Sequence, residues 1–525
     1  MNPNTEALLI YHQRTKHTLQ RYAEGPSNID WDDQPNPFRR FVGCESLRLP
    51  APGQTTAVLF SDFDQPEAIP AQALTLANVG LLLELAFGLS AWKSYGGNQW
   101  ALRNNPSSGN LHPTEAYLIS AGHDFIGSGV YHYVSYDHSL ERRAQFVEAP
   151  VTTDLLVGLS SVPWREAWKY GERAFRYCQH DIGHALGALR YAAAVLGWTV
   201  ELLADWSDDT VAELLGLNRA EDFVDEEQEF PDVMCRIHSQ TPRNSGLQPP
   251  LACTWQGKAE SLGARHFYQW PVIDTATVAA HKPYRQEPTW LAPLAPKLSS
   301  TNTQTATEVI RQRRSAQHFD STMAAMPQAD FYRILAAVLP GAKVPFDVWQ
   351  WHPNVHLFVF VHRVAGLQPG VYALPRSSAV LVRLQDAVLA EFTWQAIADD
   401  LPLYHLYTGD CRRIAKTLSC HQAIASDGAF SLAMVADFSE TIKDLPWLYR
   451  RLFWECGLIG QVLYLEAEAA GYRGTGIGCY FDDSVHEILG ITDGKFQSLY
   501  HFTVGKPMDD ARLQTLPAYS HLQNP

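Results

Sequence analysis

The chain has 525 residues, of which 46% are hydrophobic, 18% charged and 11% aromatic, and its formal net charge is −15. That is an ordinary globular composition, enough for two large domains or three to four smaller ones, and it argues against a mostly disordered chain. The acidic balance and the lack of a Lys/Arg run of five residues argue against a nucleic-acid or anionic-membrane partner. The longest apolar stretch, Val79–Leu83 and Leu85–Leu89, is broken by Glu84 and too short for a bilayer, and the N-terminus lacks a basic region followed by an apolar one. A cytoplasmic protein is expected.

In chain order, Ala116–Ile119 reads as a strand. Ile182, Ala185, Leu186, Leu189, Ala193 and Leu196 share one face of a helix that stops at Gly197, where a C-terminal cap tolerates positive φ. A strand follows, then a helix opened by Asp208-Asp209, with Asp208 as its expected N-cap. Eight prolines between 242 and 296 and the Ser-Ser-Thr-Asn-Thr-Gln-Thr run at 299–305 read as a long linker, ordered where Trp255, Phe267, Tyr268 and Trp270 are buried. Val355–Val361 reads as a strand. Leu452, Cys456, Ile459, Leu463, Ala467 and Ala470 then line a second helix ending before Gly471, followed by a strand and by Asp482-Asp483.

The second series repeats the first. Residues 181–217 lie on 455–491 at a constant offset of 274 with no gap, and ten of the 37 positions are identical, among them Gly183/Gly457, Gly197/Gly471, Asp208/Asp482 and Gly216/Gly490. Unrelated sequences of average composition would share about two. Fainter echoes are Gly129-Val-Tyr131 with Gly370-Val-Tyr372 and Gln13-Arg-Thr15 with Arg313-Arg-Ser315. The expected fold is α+β, with two copies of one domain (1–240 and 306–525) joined by a linker at 241–305.

Four features carry chemistry. Arg103-Asn-Asn-Pro-Ser-Ser-Gly-Asn110 offers hydroxyls at Ser107 and Ser108, a glycine for close backbone approach and the donor and acceptor of Asn110. Such a loop suits the edge of a heteroaromatic ring, and equally serves as a structural turn. Arg313-Arg314-Ser315 reads as the start of a helix, where guanidiniums, a hydroxyl and free N–H groups make a phosphate clamp, or as a solvated basic cluster. Gly474-Thr-Gly-Ile-Gly478 permits intimate contact with a ligand or makes a tight turn, and does not match the dinucleotide fingerprint. The adjacent Lys169 and Tyr170 could accept and donate protons near a cofactor, or lie on the surface. His180 and His184 have metal-ligand spacing, but no companion ligands accompany them, so no metal is expected and His184 is assigned to helix packing or to a cofactor. The eight cysteines form no Cys-x-x-Cys pair and read as reduced, mostly buried thiols.

Together these segments resemble the nitroreductase superfamily of flavin enzymes. The resemblance is strongest to the branch of azoline (thiazoline/oxazoline) dehydrogenases from streptolysin- and microcin-type peptide clusters. It is carried by Pro106-Ser-Ser-Gly-Asn110 with Leu111-His-Pro-Thr-Glu115, by Lys169–Tyr177 and Asp181-Ile-Gly-His184, by Tyr11–His17 with Ile29-Asp-Trp31 and Pro37-Phe38, and in the second half by Arg313-Arg-Ser315, Gly474–Gly478 and Val504-Gly-Lys506-Pro507.

The resemblance implies mixed sheets flanked by helices, with the two halves forming an intramolecular pseudo-dimer that binds FMN at its interface. The halves are not equivalent, because the first keeps the Ser-Ser-Gly-Asn loop and the second keeps the arginines, glycines and Lys506, opposite which the first half has Gln240. One composite FMN site is therefore expected, from Arg103, Ser107, Ser108, Asn110 and His184 with Arg313, Arg314, Ser315, Gly476, Ile477, Gly478 and Lys506. Lys169 and Tyr170 would be catalytic. The family's third clamp residue, an arginine, is Gln317 here.

The implied activity is FMN-dependent dehydrogenation of an amino-acid- or peptide-derived heterocycle. A NAD(P)H-dependent nitro, quinone or enone reductase and a flavin-binding scaffold of a biosynthetic complex are the alternatives. The implied partner is a small-molecule or peptide substrate, with further homo-oligomerisation left open.

Overall fold

The computed structural model describes residues 2–522 apart from 149, 151–154, 240–250 and 294–301. Two helices in the first half precede any long strand: α1 (Pro3–Arg14), started by Asn2 and Pro3, and a second at Leu76–Phe87. A hairpin of β1 (Leu89–Tyr95) and β2 (Asn98–Arg103) follows, and then the strands of the first sheet: β3 (Thr114–Ser120), β4 (Gly129–Val134), β5 (Ser139–Phe146) and β6 (Leu155–Ser161). Next come α2 (Pro163–Tyr170), the 22-residue α3 (Ala174–Val195), β7 (Thr199–Leu202), α4 (Asp208–Leu215) and β8 (Phe230–His238). Cys253–Trp255 forms β9, and Pro271–Ala279 forms α5.

The second half runs α6 (Ala306–Gln312), β10 (Val355–Val361), β11 (Gly370–Leu374), β12 (Tyr404–Thr408), β13 (Phe430–Asp437), the 22-residue α7 (Leu448–Ala469), β14 (Arg473–Ile477), α8 (Asp482–Leu489), β15 (Phe496–Gly505) and β16 (Gln514–Leu516).

The two sheets have one topology. The first is ordered β9-β5-β4-β3-β6-β8-β7, and the second runs from a short edge strand through β12-β11-β10-β13-β15-β14. Strand for strand, with α3 answering α7 and α4 answering α8, the chain draws the same α+β domain twice. Both sheets were expected to be mixed, yet among the described residues every pairing within them is antiparallel. The echo at Gly129 and Gly370 is structural. Each glycine opens the second strand of its sheet, where a Cβ would lie 2.1 Å from Ala144 O or 2.0 Å from Tyr407 O of the neighbouring strand.

The halves join through α3 and α7, which cross at paired glycines. A Cβ on Gly183 would stand 2.1 Å from Trp454 O, and one on Gly457 would stand 2.1 Å from His180 O. His180 and Trp454 are themselves equivalent positions of the repeat, so the contact is reciprocal, as in an isologous dimer interface drawn inside one chain. Backbone contact of this kind is open only to residues without a side chain. The two helices are buried along nearly their whole length, in a core continuous between the sheets.

Both halves also send segments across. Thr5 on α1 donates to the Ile442 and Lys443 carbonyls of the second half, Arg311 on α6 pairs with Glu84 of the first, and β16 joins the β1–β2 hairpin. In its hydrogen bonding the counterpart of His17, three residues after α1, is Lys282, three residues after α5: His17 N–H donates to the Asp482 carboxylate and Lys282 N–H to that of Asp208. The echo of residues 13–15 in 313–315 has no such equivalence, since Arg14 pairs with Glu172.

Several local readings change. Ser207, not Asp208, caps α4 by accepting from Thr210 N–H, and Phe481 holds the corresponding place on α8. Asp208 and Asp482 sit one residue inside, their carboxylates drawn away by buried arginines. Gly197, Gly471, Gly216 and Gly490 have φ of +65°, +74°, +72° and +84°, as helix C-termini ask. Of the linker aromatics, Trp255 is half-buried beside Gly216 and Tyr268 stacks on Trp270, but Phe267 is 67% exposed. The 299–301 part of the polar run and Gln240 lie outside the described residues. No helix among the described residues is long and apolar enough to cross a membrane.

Candidate functional site

Where the β2–β3 loop of the first half faces β14 of the second, the molecule encloses a cavity of about 830 Å³. That volume suits a cofactor-sized ligand. Arg103, Ser107, Ser108, Asn110 and His184 line it from one half, and Arg313, Arg314, Ser315, Gly476, Ile477 and Gly478 from the other. Tyr170 also faces it. The serine–asparagine loop and the glycine strand therefore share one crevice.

The loop is held by its own side chains. Ser107 Oγ accepts from His112 N–H at 2.8 Å, and Asp181 on α3 accepts from Ser108 N–H and Oγ–H, both at 3.1 Å. The Asn110 amide is spent inside the loop, donating to Ala101 O and facing His112 Nε2. Gly109 (φ +61°) lies under the Tyr170 ring, where a Cβ would come within 2.4 Å of the phenol oxygen. The loop thus turns backbone, not the Asn110 side chain, toward the open space.

Across the cavity, the three glycines lie in or directly after an edge strand rather than in a turn. A Cβ on Gly474, Gly476 or Gly478 would strike Phe502, Tyr500 or Tyr177 at 2.5, 1.9 and 2.3 Å. Glycine is needed here because three aromatic side chains crowd the positions that a Cβ would take. Tyr464 OH bridges the strand to the arginine segment, accepting from Gly476 N–H at 2.9 Å and contacting Ser315 Oγ at 2.7 Å.

The arginines give the cavity its charge, but they follow the C-terminus of α6 instead of opening a helix as expected, so no free N–H groups of a helix start accompany them. Arg313 is buried, donates to Arg103 O and leaves Nε without a partner. Among the described residues Arg314 donates to the carbonyls of Ser90, Arg311 and Arg313. No ion pair joins either guanidinium to a carboxylate among the described residues. Burial and the neighbouring Arg313 pull Arg314 down to about 9, and burial pulls Arg103 down to about 10. A guanidinium so destabilised gains from any anion that enters.

The remaining ionisable groups are poised by burial. Asp181 is pushed up to about 7 against the opposing bonds of Ser107 and Ser108. Tyr170 is raised well above its ordinary value, first by burial and then by Glu166, and so stays a proton donor. Burial and then Arg313 hold His184 down to about 3, keeping it neutral beside Tyr500 OH at 3.1 Å. Among the described residues no group of three His, Cys, Asp or Glu side chains is arranged to hold a metal.

Two expected site residues lie elsewhere. Lys506 Nζ donates to Gly471 O beyond the end of α7 and rides over Tyr472, away from the cavity. Lys169 does not line it either. Its Nζ stands over the Trp31 and Tyr170 rings at 5.5 and 5.3 Å, behind the tyrosine, and burial lowers its pKa. Neighbouring residues on a helix point about 100° apart, so adjacency in sequence put only one of the pair into the cavity. The sequence reading missed Asp181, Tyr177, Tyr464 and Tyr500 as lining residues. Asp181 left a signal, because its counterpart in the repeat is the acidic Glu455, which accepts from Asn354 N–H as Asp181 accepts from Ser108.

The symmetry-related position is filled. Gln350 donates to Leu202 O on β7, Trp351 donates to Glu287 and lies 3.6 Å from the Arg451 guanidinium, and Arg451 (the counterpart of Tyr177) pairs with Glu287.

The Nitroreductase family model matches residues 310–506. A putative nitroreductase from Anabaena variabilis has the same architecture throughout: 21% identity, 96% of this chain and 99% of that chain covered, TM-score 0.69. Part of the chain is also similar to the E. coli microcin synthetase McbBCD complex with truncated pro-MccB17 bound (18% identity, 44% of this chain and 92% of that chain, TM-score 0.27). A further partial match is an FMN-dependent nitroreductase from Clostridium difficile (12% identity, 38% and 86%, TM-score 0.22). No curated protein matches. The chain carries the nitroreductase fold in both halves.

Proposed function

We propose that the protein is an FMN-dependent oxidoreductase with one flavin site per chain. The observation that carries this reading is the shared crevice, in which Ser107–Asn110 of one half faces Arg313, Arg314 and Gly476–Gly478 of the other, with the buried Arg313 and the half-buried Arg314 making no ion pair with a carboxylate among the described residues. The residues fit the group. Arg313, Arg314 and Ser315 would hold the phosphate, and the backbone of residues 107–110 would meet the polar edge of the ring system. The side chains of Tyr177 and Tyr500 and the backbone of Gly476–Gly478 would bound its flat body. When bound, FMN supplies a two-electron acceptor and donor.

The chain's own residues then supply positioning and protons. Tyr170, kept protonated by burial, presents its hydroxyl at the cavity wall, with Lys169 behind its ring and Glu166 close enough to raise it. Asp181, near neutrality, holds or releases a proton beneath the loop it anchors. In the direction implied by the sequence resemblance, Asp181 in its ionised form would take a proton from an azoline-type ring in an amino-acid- or peptide-derived substrate while its hydride leaves.

One observation favours a second reading. With Lys169 out of the cavity, the group facing substrate is a protonated phenol, which suits reduction of a nitro, quinone or enone acceptor using NAD(P)H. Anaerobic addition of NADPH or NADH to FMN-loaded protein separates the two: prompt bleaching of the visible flavin band identifies the reductase, and a flavin that bleaches only with an azoline identifies the dehydrogenase. A protein that takes up no FMN would defeat both and leave a scaffold.

A further inference from the structure

At one end of the cavity wall, immediately after the glycine strand, two thiols meet. Cys479 follows Gly478 and lines the cavity, and Cys420 lies in the turn after residues 412–418. The segments are fastened together by Phe481 N–H donating to Leu418 O at 2.8 Å and by Gln422 Nε2–H donating to Cys479 O at 3.2 Å. Cys420 and His421 both adopt left-handed backbone, with φ of +52° and +60°. Two consecutive non-glycine residues there are strained, and the strain persists because the surrounding bonds fix the turn. Its effect, with the two bonds that fasten the segments, is to bring the Cys420 thiol next to that of Cys479.

The surroundings of Cys479 differ from those of the other cysteines. His17, from the N-terminal segment, accepts Ala23 N–H on Nδ1 at 2.8 Å, which leaves its proton on Nε2 and makes the ring a donor toward Cys479. Arg173 donates to the carbonyl of Gly478 and contributes a positive charge. These neighbours, led by the Cys420 thiol, bring Cys479 down to about 5, whereas Cys178, Cys235, Cys411 and Cys456 are buried and pushed up. Both members of the pair are half-buried and free. A thiolate beside a second thiol, within a cavity wide enough to admit a reagent, is the arrangement used for thiol–disulfide exchange.

We infer that Cys479 and Cys420 form a thiol–disulfide exchange site opening on the cavity, with Cys479 as attacking thiolate, Cys420 as resolving thiol and a low-molecular-weight disulfide as substrate. The Cys479 thiolate attacks one sulfur of R–S–S–R, forming a mixed disulfide and expelling RS⁻. Cys420 then loses its proton to that leaving thiolate and attacks Cys479 Sγ, forming the Cys420–Cys479 disulfide and expelling the second RS⁻. The protein dithiol is oxidised by two electrons, and the small disulfide is reduced to two thiols. The site requires no flavin and stands apart from the proposed FMN activity.

The test uses the full chain as purified, equilibrated in buffers of stepped reduced-to-oxidised glutathione ratio, quenched with N-ethylmaleimide and mapped by peptide mass spectrometry. The expected result is a Cys420–Cys479 crosslinked peptide that rises and falls reversibly with the ratio. Brief labelling with iodoacetamide at neutral pH should mark Cys479 at least tenfold faster than the other half-buried cysteines, Cys44 and Cys253. In Cys420→Ser protein, glutathione should remain trapped on Cys479. Wild-type protein in which both residues stay as free thiols across the whole series, or in which Cys479 labels no faster than Cys44, would overturn the inference. Because those readouts need no variant, a misfolded substitution cannot obscure the outcome.

Discussion

Arg176 pairs with Asp482 at 2.8 Å, and Arg450, its equivalent in the repeat, pairs at 2.7 Å with Asp208, the equivalent of Asp482. Each arginine sits on the long helix of one half and each aspartate at the start of a helix in the other, so the two ion pairs exchange under a pseudo-two-fold axis. Arg173 adds a second guanidinium to Asp482 at 3.1 Å, whereas Asp208 has no second one among the described residues, and Arg450 reaches instead toward Asp232 at 3.6 Å. The cavity lies on the Arg173 side.

Replacing Asp482 with alanine should strip two buried guanidiniums and the His17 amide of their acceptor. The expected cost is about 3–5 kcal/mol, read as a lowered denaturation midpoint. Asp482 is held below the ordinary carboxylate range by Arg173 and Arg176 despite its burial. Its contribution is present above the unfolded value near 4 and is lost as pH falls through the lower folded value, so the wild type's advantage over Asp482→Ala should shrink on acidification below pH ~4.

Asp181 carries the opposite sign. Burial raises it to about 7, so its neutral form favours the fold, and that contribution fades as pH climbs from the unfolded value near 4 through about 7. Asp181→Asn, which keeps an acceptor for Ser108, should flatten the fall in thermal stability across this window. Melting curves at pH 5 to 8 check it, and a wild-type curve with no greater slope than the variant's would count against the assignment.

Gly457→Ala would place a methyl group 2.1 Å from His180 O and force α3 and α7 apart. Overpacking of this kind costs about 1–3 kcal/mol. Because the cavity is built from both halves, the same substitution should loosen FMN while leaving most secondary structure intact, as circular dichroism alongside a flavin titration would show.

Within the site, Arg314→Ala should weaken FMN by about 1.5–3 kcal/mol, the worth of a charge-assisted bond, whereas Lys506→Ala should leave affinity unchanged. Equilibrium titration of flavin fluorescence distinguishes them. Tyr170→Phe keeps the ring over Gly109 and removes only the hydroxyl, so it should lower kcat by about 10²-fold or more without altering FMN retention. Lys169→Ala should also retain flavin, with a smaller loss of turnover than Tyr170→Phe, since its Nζ acts from behind the tyrosine.

Much of this architecture was legible in the residues. The Gly183/Gly457 identity reads only as part of the repeat, and the backbone contact at the helix crossing is what leaves no freedom there, whereas the glycines after each long helix mark its end directly. Asp208 and Asp482 were noticed but given a capping role, since local spacing cannot show that an arginine from the other half competes for the carboxylate. Lys506 and Lys169 failed differently: a motif fixes order along the chain, not the direction of a long flexible side chain. The part of the linker that reproduces the chain's beginning, with Lys282 answering His17, was hidden because the equivalence rests on backbone hydrogen bonds and not on shared side chains. Composition likewise gave no hint that Cys420 and Cys479, well separated in the sequence, meet in space.

The number of flavins the molecule holds tests the composite site most directly. Purified protein saturated with FMN, freed of excess and measured by visible absorbance against amino-acid analysis, should carry one FMN per chain. Two per chain would mean that the Trp351–Arg451–Glu287 cluster gives way to a second site, and none would empty the crevice of the role proposed for it.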